Sequence, residues 1–355
     1  SCMDIKTFHS YCFDISGRVG SLESSAEMVK QAAKMISEGE VEQGQITKTV
    51  AVIDEAQDMD ANEFALIKAL MERNEDMRVI AVGDDDQNIY EFRKSNSAYM
   101  ASLITDYSAT HYSMTDNYRS CRRIVALANA YAARIKKRLK DEPIHAVREE
   151  DGIVKLIKHK AKHMDVPVVD CLESTWHGGT AAILTTTNDD SLRMLGLLTK
   201  RGIPARLIQS SDGFRMSQLA EVKMFCKNLK SGDEANSPTI SKLVWDNAKE
   251  QLRSQYGTST CLEAVMNMLS QFETVSGETM YRSDFDMFIF ESGYDTFAPY
   301  EQDAVTISTI HKAKGREFDN VYIMLNQADD GTDEEKRKIY VGMTRARNEL
   351  YIHCN

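Results

Sequence analysis

Short apolar runs that end in polar residues alternate along the chain with stretches in which apolar residues recur at helical spacing. The runs at residues 49–54 and 77–82 are rich in Val and Ile, which is typical of strands buried on both faces. Helical spacing over residues 60–72 and 95–104 predicts a helix after each strand. This alternation predicts a parallel sheet of an α/β protein.

The same alternation resumes after residue 111. A stretch rich in Ser, Gly, Asn and Pro begins at residue 231, and from there to residue 303 the apolar spacing is helical only. We therefore expect a second lobe that is interrupted by a small helical insertion. The strands of this lobe are predicted at residues 154–158, 181–185, 205–209, from 305, and at 320–325 and 349–353.

Polar residues follow the first two predicted strands directly. Asp54 and Glu55 end the first strand, and the second continues into the string Gly83-Asp-Asp-Asp-Gln-Asn-Ile-Tyr-Glu-Phe-Arg93. Parallel strands bring their carboxyl ends to one edge of a sheet, where α/β proteins bind ligands. One carboxylate can there organise a metal ion while its neighbour orients a water molecule. The alternative is an ordinary helix start with Asp58 or Asp60 as its cap.

Three further strings follow in a fixed order. They are Asp116-Asn-Tyr-Arg-Ser120, Val305-Thr-Ile-Ser-Thr-Ile-His-Lys-Ala-Lys-Gly-Arg-Glu-Phe318 and Tyr340-Val-Gly-Met-Thr-Arg-Ala-Arg347. Together with Asp54-Glu-Ala-Gln-Asp58 and the string at residues 83–93 of the first lobe, they resemble the motifs of superfamily 1 DNA helicases of the UvrD, Rep and PcrA type. The opening Thr7-Phe8-His9 is similar to that family's short DNA-contact motif.

The resemblance implies two RecA-like lobes of the P-loop NTPase type, each built on a parallel sheet, with the first lobe incomplete. It places a partial first lobe at residues 1–108 and a second lobe at 109–230 and 304–355. The helical insertion at residues 231–303 lies where the family has a helical subdomain, although it is much shorter.

The resemblance also implies ATP and Mg²⁺ as ligands and assigns a role to each matching residue. Asp54 holds the metal ion, Glu55 orients the attacking water, and Gln87 senses the γ-phosphate. Two arginines of the second lobe reach the same phosphate, where a planar guanidinium can spread its donors over several oxygens. Tyr118 stacks on adenine and Glu317 accepts from the ribose. The expected catalytic residues are Asp54, Glu55, Gln87, Arg119 and Arg345.

Single-stranded DNA, or DNA with a single-stranded tail, is the expected partner. An aromatic residue such as Phe92 can stack on a base, which contributes about 1 to 3 kcal/mol. The alternatives are that Phe92 is a core aromatic, His9 a buried and satisfied histidine, and Arg347 a surface cation. The expected DNA contacts are Thr7, His9, Tyr90, Phe92, Arg93, Thr309 and His311.

The sequence contains no Gly-x-x-x-x-Gly-Lys-Ser/Thr loop, whose backbone amides and lysine would hold the β- and γ-phosphates. We expect the chain to be a fragment of a longer motor that hydrolyses ATP negligibly by itself. The alternatives are a natural relative that has lost the loop, or a non-catalytic helicase-like module that binds DNA or protein.

Composition narrows the class of protein further. The 355 residues are 42% hydrophobic and 27% charged, as in ordinary globular proteins, and no apolar stretch is long enough for a membrane span. Seven scattered cysteines indicate free thiols in a reducing compartment, which predicts a cytoplasmic location.

The net charge of −11 argues against coating of duplex DNA but leaves room for a local groove that grips a single strand. The basic run between Arg134 and Lys140 is either a track for phosphates or the solvated end of a helix.

Overall fold

The strands of the two predicted lobes form separate parallel sheets, which confirms the α/β class. A computed structural model describes residues 5–16, 25–90, 95–140, 142–161, 163–208, 216–230, 237–259, 261–277, 279–292, 297, 304–326 and 331–355. Within these ranges, none of the helices is both long and apolar enough to cross a membrane.

The first lobe contains a sheet of two parallel strands packed against helices. Its elements are α1 (Phe8–Ser16), α2 (Ser25–Glu38), α3 (Gln43–Ile46), β1 (Val50–Ile53), α4 (Ala61–Arg73), β2 (Arg78–Ala81) and α5 (Ala98–Thr105). The strands predicted at residues 49–54 and 77–82 are thus confirmed as β1 and β2, and the two predicted helices as α4 and α5.

One face of the first-lobe sheet is covered by helices and the other is largely exposed. Side chains alternate along a strand, so the register of Val52 opposite Ile80 puts these two residues on the same face. Their exposed fractions are 64% and 50%, whereas Ile53 on the opposite face is 5% exposed and belongs to a core with α2 and α4. Apolar residues of a parallel sheet are usually buried on both faces, so this sheet departs from the pattern.

The second lobe begins with a two-stranded parallel pair and continues into a larger sheet. Its first elements are β3 (Asp116–Asn117), α6 (Arg122–Ala132), β4 (His145–Ala146), β5 (Ile153–Lys158), α7 (Asp165–Thr175), β6 (Ala181–Thr185), α8 (Asn188–Lys200) and β7 (Ala205–Leu207). The chain returns to this lobe after the helical insertion with β10 (Val305–Thr309), β11 (Phe318–Leu325), α13 (Asp333–Met343) and β12 (Ala346–Cys354).

The larger sheet has six strands in the order β5-β12-β11-β6-β10-β7, and all neighbours are parallel. Every residue of β6 and β10 is buried, which is typical of the inner strands of a parallel sheet. The polar residues before β11 and β12 lie at the edge of the sheet that faces the first lobe, where Arg345 contacts Gln87.

The helical unit lies between the two parts of the second lobe. It comprises α9 (Ala220–Leu229), β8 (Thr239–Ile240), α10 (Lys242–Tyr256), α11 (Leu262–Ser276), β9 (Met280–Tyr281) and α12 (Arg282–Glu291). The expectation of an all-helical stretch is wrong in one detail, because β8 and β9 form a short antiparallel pair. Two-residue strands leave no apolar alternation in the sequence. Met216 and Phe225 share the core of this unit with Trp245, so that core extends upstream of residue 231.

Candidate active site

The two acids at the end of β1 are exposed and held by local hydrogen bonds. The backbone N–H of Glu55 donates to Asp54 Oδ1 at 2.9 Å, and buried Gln57 donates from Nε2 to Glu55 Oε2 at 2.5 Å. Glu55 has a left-handed backbone with φ 51°. That conformation is uncommon outside glycine, and residues that adopt it cluster at active sites and ligand-binding segments.

The turn after β2 is joined tightly to the turn after β1. Gln57 Oε1 accepts from the backbone N–H of Asp84 at 2.9 Å, and Asn88 Nδ2 donates to the backbone oxygen of Gln57 at 2.9 Å. A Cβ atom on Gly83 would lie 2.5 Å from Gln57 Oε1 and 3.1 Å from the backbone nitrogen of Ala56, so a side chain at this position would displace the amide of Gln57. The acids after β1 and the amide of Gln87 therefore belong to one rigid corner of the first lobe.

Gln87 connects this corner to the second lobe. Its Nε2 donates to Asp84 Oδ2 at 2.8 Å, and its Oε1 accepts from Arg345 Nη2 at 2.8 Å. Arg345 is 2% exposed and also donates to the backbone oxygens of Val341 and Arg316. The structure thus brings two of the predicted catalytic residues into direct contact across the lobes.

The environment of Arg345 lowers the pKa of its guanidinium group but leaves that group positively charged. Burial is the main cause that lowers its pKa, to about 10, and the positive charge of Arg119 lowers it further, while Glu55 and other groups of negative charge oppose both effects. Because this pKa still lies well above 7, Arg345 remains a buried cation at neutral pH. A desolvated cation of this kind interacts strongly with any anion placed beside it.

Arg119 and Glu317 form an ion pair on the second lobe. Arg119 Nε donates to Glu317 Oε2 at 2.5 Å and Nη1 donates to the backbone oxygen of Thr344 at 3.3 Å. Arg347 donates to the other oxygen of Glu317. Burial raises the pKa of Glu317, but the two guanidinium groups outweigh that effect and the pKa is lowered overall. Tyr118, one residue before Arg119, is 71% exposed and so presents an accessible ring.

Lys314 is a site residue that sequence reasoning missed. Its Nζ lies 2.5 Å from Asp58 Oδ2 and 3.7 Å from Glu55 Oε2, and it sits 5.1 Å from the centre of the Tyr90 ring. Burial raises the pKa of Asp58, and Lys314 lowers it in part. The available signal was the position of Lys314 inside the string at residues 305–318, between His311 and Glu317.

The expected DNA contacts are distributed over both lobes. Tyr90 donates its hydroxyl to the backbone oxygen of His311 at 3.2 Å, which joins two of them across the lobes. Thr309 is buried at the end of β10, while Thr7 and His9 lie at the start of α1, exposed and half-buried respectively. Phe92 and Arg93 lie outside the described residues.

Comparison with known proteins agrees with the two-lobed geometry. The model of the UvrD/REP helicase N-terminal domain matches residues 24–108, and that of the UvrD-like helicase C-terminal domain matches residues 229–355. Together these matches cover more than half of the chain. The chain belongs to the UvrD-like helicases. Gln87 therefore lies in the family's N-terminal domain and Arg345 in its C-terminal domain, so their hydrogen bond crosses the boundary between the two.

Several UvrD-like relatives match most of this chain. A putative ATP-dependent DNA helicase, YjcD of Bacillus subtilis, is 23% identical over 88% of the chain and 52% of its own length. The ATP-dependent DNA helicase PcrA of the same organism is 22% identical, with 84% of the chain and 54% of the relative covered. Rep of Buchnera aphidicola is also 22% identical, over 85% of the chain and 62% of the relative. The chain thus spans about half to three fifths of these UvrD-like proteins.

Proposed function

We propose that this chain is the motor part of an ATP-dependent DNA helicase or translocase that moves along single-stranded DNA in the 3′-to-5′ direction. The observation that carries the proposal is the hydrogen bond from Arg345 to Gln87, which joins the two lobes beside Glu55. The matching relatives are ATP-dependent DNA helicases by name. The polarity rests on the resemblance to the UvrD, Rep and PcrA type.

The residues at the end of β1 fit a magnesium ion and a reacting water. Asp54 presents an exposed carboxylate at the carboxyl end of a parallel strand, and carboxylate oxygens are ligands that Mg²⁺ prefers. The ion, when bound, would neutralise charge on the transferring phosphoryl group. Glu55, which accepts a hydrogen bond from Gln57, would orient and deprotonate that water. Asp54 is thus the proposed metal ligand and Glu55 the proposed general base.

The arginines supply the positive charge that phosphoryl transfer requires. Arg345 is already directed at Gln87, and Arg119 is held by Glu317 on the same lobe. An arginine brought onto the γ-phosphate accelerates hydrolysis by about 10³ to 10⁵. Closure of the lobes on ATP therefore gates hydrolysis, and Tyr118 and Glu317 contribute stacking and a ribose contact.

On this proposal, the phosphate cradle is supplied by residues other than these 355. The sequence lacks a Gly-x-x-x-x-Gly-Lys-Ser/Thr loop, and the exposed face around Val52 and Ile80 leaves the first-lobe sheet uncovered. We expect negligible ATP hydrolysis by the chain alone, and turnover once a segment with such a loop completes the first lobe. Movement of DNA would then be carried by the expected contacts around Tyr90, Phe92 and Thr309.

The test compares ATP hydrolysis with and without single-stranded DNA by the 355 residues and by a protein extended to include a phosphate loop. In the extended protein, Glu55→Gln removes the proposed general base and should lower kcat by about 10² to 10⁴. Glu75→Gln is the matched control, because Glu75 is an exposed acid beyond α4. It should leave kcat within about twofold of the unsubstituted protein.

A non-catalytic binding module remains the second candidate, because Gln87, Arg345 and Glu317 are already satisfied by contacts within the protein. It would replace the motor if the extended protein shows no turnover yet binds single-stranded DNA. Such binding should weaken with salt, with a logarithmic slope near 0.7 per phosphate contacted. DNA-stimulated turnover that Glu55→Gln abolishes contradicts the module.

A further inference from the structure

Residues 136–140, here called the basic strap, follow α6 after three residues and lie against α13. The backbone N–H groups of Lys136 and Lys137 both donate to Asp333 Oδ2 at 3.1 Å. Arg337 Nη2 donates to the backbone oxygen of Lys137 at 2.7 Å. The first half of the strap is thus fixed to the helix that leads directly to Arg345.

The second half of the strap binds the acidic turn of the first lobe. Arg138 makes a two-pronged contact with Asp86, from Nε to Oδ1 at 2.8 Å and from Nη2 to Oδ2 at 2.7 Å. The backbone N–H of Leu139 donates to Asp85 Oδ2 at 2.6 Å. Asp86 is fully buried, and a buried carboxylate is tolerated only with a well-placed cation. The planar fork of Arg138 meets that need with fixed geometry.

Lys140 connects the strap to the catalytic amide. Its Nζ lies 2.6 Å from Asp84 Oδ1, while Asp84 Oδ2 accepts from Gln87 Nε2 at 2.8 Å. Asp84 therefore takes the nitrogen of the Gln87 side chain, and the oxygen is left to accept from Arg345. A continuous chain of contacts runs from Lys140 through Asp84 and Gln87 to Arg345.

We propose that Arg138 and Lys140 are positioning residues for ATP hydrolysis, which hold the turn at residues 84–86 so that Gln87 faces Arg345. This inference rests on the proposed motor function. It replaces both sequence-based interpretations of the basic run at these two positions, since Arg138 and Lys140 are engaged with carboxylates of the other lobe. Loss of both cations leaves Asp86 buried and uncompensated, and the turn that carries Gln87 shifts.

The test compares two double variants of the full protein that carry the same change in charge. Arg138→Gln with Lys140→Gln breaks the strap's ion pairs, and Lys136→Gln with Lys137→Gln changes two exposed side chains of the same strap. A misplaced catalytic group costs about 10²-fold in rate. The first variant should lower kcat for ATP at saturating DNA by about 10- to 100-fold, with KM changed by less than about twofold. The control should keep both parameters within about twofold.

A merely structural role predicts a different result. A variant that only unfolds more easily loses active protein but keeps its kcat per folded molecule, so kcat is normalised to the folded fraction at each temperature. Arg138→Lys retains the charge but lacks the fork, and it should recover part of the lost kcat. If the normalised kcat of the double variant Arg138→Gln with Lys140→Gln lies within twofold of that of the control, the positioning role is overturned.

Hydrogen exchange supplies a readout that is independent of activity. The amide of Leu139 donates to Asp85 and that of Gln87 to the backbone oxygen of Asp84, so both should exchange at least about tenfold faster in the first variant than in the control. Unchanged exchange rates at these two amides would contradict the proposal that the strap holds the turn at residues 84–86. Absence of turnover in the unsubstituted protein overturns the motor and the positioning role together, whereas turnover that both variants retain overturns the positioning role alone.

Discussion

The two parallel sheets of this protein differ in how completely they are enclosed. In the second lobe, β6 is paired on both sides and each of its residues is buried. In the first lobe, β1 pairs with β2 and the face with Val52 and Ile80 is exposed. The acids Asp54 and Glu55 thus stand on the weaker scaffold. A site of this kind depends on contacts from outside its own sheet.

The second lobe provides those contacts. Ile89, two residues after Gln87, is fully buried in the core of the second lobe with Ile310 and Ile323. Lys314 pairs with Asp58 on the turn that follows Glu55. The corner of the first lobe that carries the reactive groups is therefore anchored to the better-enclosed lobe, and its geometry responds to any shift between the two.

The largest expected effect tests the difference in enclosure directly. Ile183 in β6 is fully buried, and Ile80 in β2 is half exposed, although both are isoleucines of parallel strands. Ile183→Ala should lower the free energy of unfolding by about 2 to 5 kcal/mol, because it removes buried methyl groups and leaves a cavity. Ile80→Ala should lower it by less than about 1 kcal/mol. Denaturant unfolding followed by circular dichroism measures both.

Equal losses in the free energy of unfolding for Ile183→Ala and Ile80→Ala would contradict the difference in enclosure. A large loss for Ile80→Ala in the 355 residues alone would mean that the exposed face of β2 is covered in solution. Val52→Thr serves as the matched control on that face, since Val52 is 64% exposed and Thr also favours strands. It should leave the stability within about 0.5 kcal/mol of the original.

A smaller effect concerns a buried histidine of the second lobe. His353 at the end of β12 is fully buried, and its Nδ1 lies 2.9 Å from Nε2 of His159. Burial, and then the nearby His159, lower the pKa of His353 from 6.5 to about 4. The stabilisation is complete above pH 6.5 and is lost as the pH falls towards 4, by at most about 3 kcal/mol. Urea unfolding between pH 7 and pH 4 would show the decline.

Substitution of His353 tests whether this residue, and not another acid-sensitive group, causes the loss of stability at low pH. His353→Gln should flatten the stability curve between pH 6.5 and pH 4, because it removes a side chain that must take up a proton on unfolding. His177→Gln is the control, since His177 is exposed. Equal curves for the two variants would contradict the assignment to His353.

The sequence predicted those parts of the protein that depend on local pattern. Apolar runs placed β1, β2 and β6 almost to the residue, because each is a short run rich in Val, Ile, Leu and Ala that is bounded by polar residues. Of the three, only β6 is buried along its whole length. The string after β2 identified Gln87, and the string at residues 340–347 identified Arg345, which the structure brings together. Their meeting followed from the resemblance to a two-lobed family and not from spacing, since 258 positions separate them.

Ion pairs between residues far apart in the chain could not be predicted from the sequence. Lys314 and Asp58 are 256 positions apart, and Arg138 and Asp86 are 52 apart, so no local pattern marks either pair. A basic run has the same appearance whether it meets DNA, water or a buried carboxylate. The choice between these partners requires the packing of both lobes, which only the folded chain shows.

The smallest expected effect comes from two helix caps, and it tests whether the two lobes unfold together. Asp60 caps α4 in the first lobe by accepting from the N–H groups of Asn62 and Glu63, and Thr332 caps α13 in the second by accepting from that of Glu335. Replacement of either cap by alanine should cost about 1 kcal/mol. Since its sheet is less enclosed, we expect the first lobe to unfold at lower denaturant concentration.

Hydrogen exchange under increasing denaturant distinguishes the two lobes. Asp60→Ala should speed exchange in α4 while α13 and β6 stay protected, and Thr332→Ala should act on the unfolding of the second lobe. If both substitutions shift a single transition equally, the contacts at Ile89 and Lys314 join the lobes into one cooperative unit. In that case the weak enclosure of the first sheet would be compensated fully by the second lobe, and the stability of the catalytic corner would be that of the whole chain.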